Sequence, residues 1–138
     1  MAGMKHNSRR RAAATVEMAL ILPLLMILTL GLIEYGWLFL NAHRVTNAAR
    51  QGARVGARPD STTADVLTTV DTIMHQADLG SSGYQVAVTP SDITTLQPGE
   101  QLTVEVSVPY ANIELVGTTL LPVPATLRSS LTMAREGP

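Results

Sequence analysis

Residues 9–39 read RRRAAATVEMALILPLLMILTLGLIEYGWLF: three arginines, a long apolar run, and two glutamates, Glu17 at its near edge and Glu34 towards its far end. No residue from Met18 to Ile33 is charged, and with Glu34 allowed the run extends to Ala42. At about 1.5 Å of rise per helical residue, such a stretch crosses a hydrocarbon core of roughly 30 Å. Pro23 lies inside the run, where a membrane helix tolerates it, and Tyr35 and Trp37 sit near its far end as interface anchors would. The bland alternative is a buried core helix of a soluble protein, which an apolar run alone does not exclude. Lys5, Arg9, Arg10 and Arg11 precede the run, so the positive-inside rule predicts a cytoplasmic N-terminus. Arg44, Arg50, Arg54 and Arg58 on the other side weaken that bias. A cleaved secretory signal has a shorter core and small residues at its end. Here WLFLNAHR follows a longer core, so the segment is expected to be kept.

The rest of the composition fits one anchored small domain. A chain of 138 residues has room for a membrane helix and about 80 further residues, near the lower limit of what folds alone. There is no cysteine, hence neither disulfide nor thiolate chemistry. The net charge of −1 conceals an asymmetry: residues 1–58 hold eight bases and two acids, residues 59–138 two bases and nine acids. Residues 1–12 read as a basic cytoplasmic leader, 13–42 as the membrane helix, and 43–138 as a helix extension with a small extracytoplasmic α+β domain.

Past the apolar run, NAHRVTNAARQGARVGARP continues in helical register. Ala48, Ala49, Gly52, Ala53 and Gly56 form a stripe where another backbone can approach, and Arg50, Arg54 and Arg58 form a second row. The stripe either packs on this chain's own sheet or, through Gly52-x-x-x-Gly56, on another helix. Pro59 is expected to end the helix. A second helix is predicted over 62–79, with N-cap oxygens at Asp60, Ser61 and Thr62, a buried face of Val66, Leu67, Val70, Ile73, Met74 and Ala77, and GSSG at 80–83 as its stop. YQVAV at 84–88 and LTVEVSVPY at 102–110 alternate as strands with one buried face. ATLRSSLTMARE at 125–136 fits strand or helix; a third strand is chosen because a lone hairpin is marginal. PYANIELVGTTLLPVP between them reads as an irregular loop that covers the core edge or as a contact patch. The fold class expected is α+β, a long N-terminal transmembrane helix extending into a domain with a second helix and about three antiparallel strands.

Two carboxylates beside a membrane-seeking run need a reason, because a charge at membrane depth costs at least about 2.5–3.5 kcal/mol. Glu17 is either a snorkelling acid in the first helical turn or the partner of a new amine: a cut after Ala12 would make Ala13 the N-terminus, one turn from Glu17. At these residues the chain resembles a known family. The basic leader, the small residues, the early Glu and VEMALILPLL resemble the class III signal of type IV pilins and pseudopilins. ATVEMALILPLLMILTLGLIEYGWLFLNAHRVTNAARQGAR, residues 14–54, looks like the TadE-like segment of the tight-adherence (Flp) pilus system. The resemblance implies a minor pilin or pseudopilin of the inner membrane, taking part in pilus assembly and so in secretion and cell adhesion. It implies Ala12 and Ala13 as the pair cut by a prepilin peptidase, Glu17 as the acid that guides assembly, and other pilins and the inner-membrane assembly platform as partners. Such peptidases prefer Gly where this chain has Ala12. An uncleaved, signal-anchored binding or scaffold domain is therefore the alternative. Glu34 lacks a basic leader and is not a second processing site. It is read as an outer-interface carboxylate near water or Arg44, or as an intersubunit contact.

No enzyme is expected. His6, His43 and His75 are scattered without metal-ligand spacing, and Asp71 with His75 at i, i+4 supplies only two ligands. The chain has no G-x-S-x-G, H-E-x-x-H or phosphate loop, so neither cofactor nor small-molecule substrate is expected. The arginine row lacks interleaved aromatics, which argues against nucleic acid. A membrane enzyme or sensor would have only Glu34 and the Asp71/His75 pair in its favour.

Overall fold

A computed structural model of the protein describes residues 4–117 and 121–137, with side chains from Ala12 onward. The side chains of Lys5, His6 and Arg9 to Arg11, and residues 118–120 of the long loop, lie outside the described residues. The chain divides into two compact units, Met1–Gly36 and Trp37–Pro138. Helix α1 (Met4–Gly56) enters both, followed by α2 (Thr63–Gln76) and strands β1 (Gln85–Thr89), β2 (Gln101–Pro109) and β3 (Thr126–Ala134). The expected α+β architecture is therefore present, with the third segment a strand.

Within the first unit α1 behaves as its sequence predicts. Residues 12–29 are all exposed, including Leu20, Leu24 and Leu28, so this apolar surface has no cover from the chain itself. From Ala12 to Gly36 the helix rises about 37 Å, enough to cross a bilayer core. Pro23 removes one helical N–H. Lower down, the Thr29 hydroxyl donates to the carbonyl of Leu25 at 2.8 Å.

In the second unit the burial pattern of α1 changes character. Leu38, Asn41, Val45, Ala48, Ala49, Gly52, Ala53, Gly56 and Ala57 are buried, three or four residues apart along one face. Arg50, Arg54 and Arg58 stay exposed. A Cβ on Gly52 would lie 2.6 Å from Cγ2 of Val70 and 3.4 Å from Cγ1 of Val104; one on Gly56 would lie 2.8 Å from Cδ1 of Leu102. The small-residue stripe thus packs on this chain's own second helix and sheet. Of the two packings open from sequence, Gly52 and Gly56 here take the one on the chain's own core. The helix closes at Gly56, three residues ahead of Pro59.

Helix α2 begins with a reciprocal cap. The main-chain N–H of Asp65 donates to the Thr62 hydroxyl, while the main-chain N–H of Thr62 donates to the Asp65 carboxylate at 2.8 Å. The Thr62 main-chain N–H, and after it the Thr62 hydroxyl, which donates to the same carboxylate at 2.7 Å, hold the Asp65 carboxyl below its ordinary range. Val66, Val70 and Met74 are buried, whereas Leu67 is exposed, so the apolar face is narrower than the sequence suggested. The helix also stops earlier than GSSG. Asp78 adopts φ 59°, and Leu79 N–H reaches Met74 O at 2.8 Å while Asp78 N–H reaches His75 O at 3.1 Å. This bonding turns the chain out of the helix with Asp, rather than Gly, in the left-handed position.

The sheet is antiparallel in the order β1-β2-β3. Strand β2 alternates as read: Leu102, Val104, Val106 and Val108 have no exposure, and their partners Val86, Val88, Leu127, Leu131 and Met133 line the same core. On the outer face Thr103 and Thr132 share a 2.8 Å hydrogen bond and Arg128 pairs with Glu105 at 3.4 Å.

Arg135, just past β3, closes the domain. Its buried guanidinium donates to the carbonyls of Gly56 at 3.2 Å, Pro59 at 2.6 Å and Ser61 at 3.2 Å. A cation at the C-terminus of α1 both satisfies orphan carbonyls and opposes the helix dipole. Two stability predictions follow for the detergent-solubilised protein, read by thermal unfolding. Gly52→Val should lower stability by about 1–3 kcal/mol through overpacking against the stiff, buried Val70, whereas Gly36→Ala, with nothing within 4 Å, should not. Arg135→Met keeps the apolar stem and should cost about 1.5–3 kcal/mol for the charge-assisted bonds.

Candidate functional site

The residues singled out from sequence are dispersed over three places. Ala12 and Ala13 lie on α1, both exposed, and the helix runs through them from Met4 without a break. Glu17 is exposed one turn further on, between Val16 and Met18, which are also exposed. Residue 13 and residue 17 share a helix face, with Cβ atoms about 5–6 Å apart at that spacing. Glu34 is different: its exposure is 0%. It occupies the same helical stripe as Leu38, Asn41 and Val45. Gly52 and Gly56 are in the domain core.

The apolar surface of α1 offers packing. Around its midpoint Leu22, Leu25, Met26, Thr29 and Leu30 line a shallow groove of about 290 Å³, and the Thr29 hydroxyl there is already spent on Leu25 O. This surface presents methyl and methylene groups with no free polar atom from Thr29, so it suits lipid tails or another apolar helix.

Trp37 opens the second unit and carries a set of contacts that sequence did not expose. Its indole N–H donates to Ile113 O at 2.6 Å. Arg44 places its guanidinium 5.8 Å from the ring centroid and donates to Asn41 Oδ1 at 3.3 Å, and buried Asn41 in turn donates to Trp37 O at 3.1 Å. The bond of Trp37 to a loop 76 residues away was not legible in the sequence.

A polar cluster joins α2 to the start of β1. Tyr84 donates its phenol to Asp71, and His75 Nε2 lies 3.6 Å from the same carboxylate oxygen. A Cβ on Gly80 would fall within 2.3–2.8 Å of the His75 ring, so only glycine lets the ring fold over that turn. Burial, then the bond and charge of Asp71, push the Tyr84 phenol up to about 12. The pair read from sequence is real, and Tyr84 is the third member that spacing missed. Asp71 and His75 are nevertheless well exposed, and among the described residues no group of three or more His, Asp or Glu could hold a metal ion. An open groove of about 670 Å³ beside α2, lined by Arg58, Asp60, Thr68 and Thr72 among others, is chemically quiet as well. The hydroxyls of Thr68, Thr69 and Thr72 donate back to carbonyls of their own helix.

What remains is a long exposed apolar helix with an early acid, continuing into a small domain through a stripe of small residues. Residues 12–54 match the model of a family described as TadE-like protein. Over this stretch the chain is similar to the TadE-like family. The match agrees with the resemblance carried by residues 14–54 and is consistent with a TadE-like protein of the tight-adherence pilus system. The TadE-like segment begins at Ala12 and ends at Arg54, two residues before α1 closes, so the match covers the helix and neither α2 nor the sheet. No curated protein and no solved structure matches the chain. The TadE-like family is pilin-like and pilus-associated, and its segment here holds a candidate membrane span.

The Asp71–Tyr84 contact gives a pH prediction. Because the fold favours the neutral phenol, its contribution to stability is whole below the ordinary phenol pKa near 10 and is lost as pH rises through about 12. Asp71→Asn should bring the Tyr84 titration down, measured by ultraviolet absorbance of phenolate against a Tyr84→Phe reference. It should stay above the ordinary value because burial, the larger cause, remains.

Proposed function

We propose that this protein is a minor pilin or pseudopilin of the tight-adherence (Flp) pilus system. The observation that carries the reading is the match at residues 12–54, on a helix that leaves its apolar surface uncovered and sets an exposed Glu17 one turn past Ala13. Residues 1–12 are then a leader on the cytoplasmic side, by the charge of Lys5 and Arg9 to Arg11. Residues 13–36 cross the inner membrane, and the domain from Trp37 onward lies outside. In this reading the span ends at Gly36, short of the 13–42 suggested by hydropathy, and the second unit begins at Trp37.

In this reading a prepilin peptidase cuts between Ala12 and Ala13, and the new ammonium group at Ala13 pairs with Glu17, in the same subunit or in a neighbour. A carboxylate and an ammonium each costly to bury alone offset one another at the membrane edge. The apolar surface from Leu20 to Leu32 packs against other pilin helices during assembly on the inner-membrane platform. The role in adhesion and secretion is that of the pilus.

A second reading is supported by two specific features. Ala12 stands where prepilin peptidases prefer Gly, and α1 runs unbroken through the proposed cut, which a peptidase must unwind. If the leader stays, the protein is a signal-anchored binding or scaffold domain and Glu17 is a snorkelling interface acid.

Intact mass of the membrane-extracted protein, with and without the cognate prepilin peptidase, separates the two. Loss of residues 1–12 is expected; an unchanged mass, with the peptidase active on a control pilin, overturns processing. Glu17→Gln and Glu17→Ala should reduce pilus assembly while leaving membrane insertion intact, and full assembly by the alanine variant would remove Glu17 from the mechanism.

A further inference from the structure

Large apolar side chains are unevenly exposed on the domain. Among the described residues from Trp37 onward, those strongly exposed are Phe39 at 61%, Leu40 at 44%, Leu67 at 43%, Leu115 at 56% and Val116 at 38%. Leu67 stands apart on α2. The other four fall into two pairs, two and three residues after Trp37 and two and three residues after Ile113. The indole N–H of Trp37 holds the carbonyl of Ile113 at 2.6 Å, so the two pairs belong to one end of the domain although they are distant in sequence. Phe39 and Leu40 are within about 5 Å of rise from Trp37 along α1.

That end is also where the chain leaves its apolar segment, since Trp37 follows Gly36 directly. We infer that this end of the domain, with Leu115 and Val116 at its tip, inserts into the headgroup–acyl boundary of the bilayer crossed by residues 13–36. The loop is then a second lipid contact, separate from the membrane helix and outside the TadE-like segment. The inference rests on the membrane reading of that helix.

The surrounding chemistry fits a lipid surface. An indole with one apolar body and one satisfied N–H suits the interface, and the Arg44 guanidinium over its ring can reach lipid phosphate while its stem stays on the aromatic face. Glu114, exposed between Ile113 and Leu115, limits the loop to the headgroup boundary, because a carboxylate is costly deeper in the bilayer. The other end of β2 carries Gln97 and Glu100, both exposed, and none of the strongly exposed apolar residues.

The chain lacks cysteine, so single labels are unambiguous. The full-length protein would carry an environment-sensitive fluorophore at Leu115→Cys, Leu24→Cys or Gln97→Cys, in phosphatidylcholine–phosphatidylglycerol vesicles with spin-labelled lipids. The expected result at Leu115→Cys is a blue-shifted emission quenched best by lipid labelled near the headgroup. Leu24→Cys should be quenched best by lipid labelled deep in the chain, and Gln97→Cys by neither. A water-like Leu115→Cys signal with a deep Leu24→Cys would overturn the inference and leave the membrane helix standing. A blue-shifted Leu115→Cys that no lipid quenches would mean that protein covers the loop, and equal quenching at Gln97→Cys would mean non-specific adsorption; either overturns it. A Leu24→Cys outside lipid defeats the membrane reading itself.

Discussion

The domain rests on how closely α1 approaches its neighbours at Gly52 and Gly56. With a Cβ placed at Gly52 only 2.6 Å from Val70, and one at Gly56 only 2.8 Å from Leu102, the helix backbone itself is a core surface. Val66, Val70, Leu102 and Val104 fill the space that side chains on α1 would otherwise occupy, and stiff valines of α2 and β2 form the core around it. The sequence must then provide two kinds of helix in one element. From Met18 to Leu30 the residues are mostly large and apolar on every side; from Ala48 to Ala57 the buried side is small and the outer side carries arginine. An even distribution of leucine along α1 would leave the domain without room for its sheet.

The ends of this packing are held by polar contacts between distant parts of the chain. Arg135 donates to three carbonyls at the end of α1, and Glu136 N–H reaches Ala57 O at 2.7 Å, so the residues after β3 are tied to the helix terminus. At the other end the Trp37 indole holds Ile113. A buried guanidinium is costly to desolvate, and it is retained here because its partners are the carbonyls that a helix terminus leaves unsatisfied. Leucine could pack in its place but could not bond Gly56, Pro59 and Ser61 together. These contacts fix where the sheet starts and stops along α1, which apolar packing alone does not specify.

Local signals were the legible part of the fold. The alternation in β2, the Thr62 cap and the small stripe show in windows shorter than a dozen residues, the apolar run in one unbroken stretch, and each stands in the structure. What escaped depends on long separations or on competition between neighbours. Arg135 reads as an ordinary surface base until the terminus of α1 is brought to it. The exit from α2 was assigned to the glycines of GSSG, but Asp78 tolerates the left-handed backbone and Leu79, once buried, completes the turn sooner. Leu67 fits the helical period yet lies at the edge of the covered face. Of the candidate site, the position of Glu17 relative to Ala13 follows from spacing alone. Tyr84 could not be joined to Asp71 and His75 by spacing, since it comes from the turn before β1.

The two carboxylates that made the apolar run unusual meet separate solutions. Glu34 continues the stripe of Leu38, Asn41 and Val45, and the chain's own atoms remove it from solvent entirely. Glu17 has no such cover: it lies on the exposed surface, beside Val16 and Met18, at the edge of the segment that would enter the bilayer. In the membrane reading its charge is met at the bilayer edge by water and headgroups or by a cation. The nearest cation that processing can create is the amine of Ala13, one turn away on the same face. In the proposed reading, the exposure of Glu17, set against the burial of Glu34, is what would give removal of the leader a physical consequence.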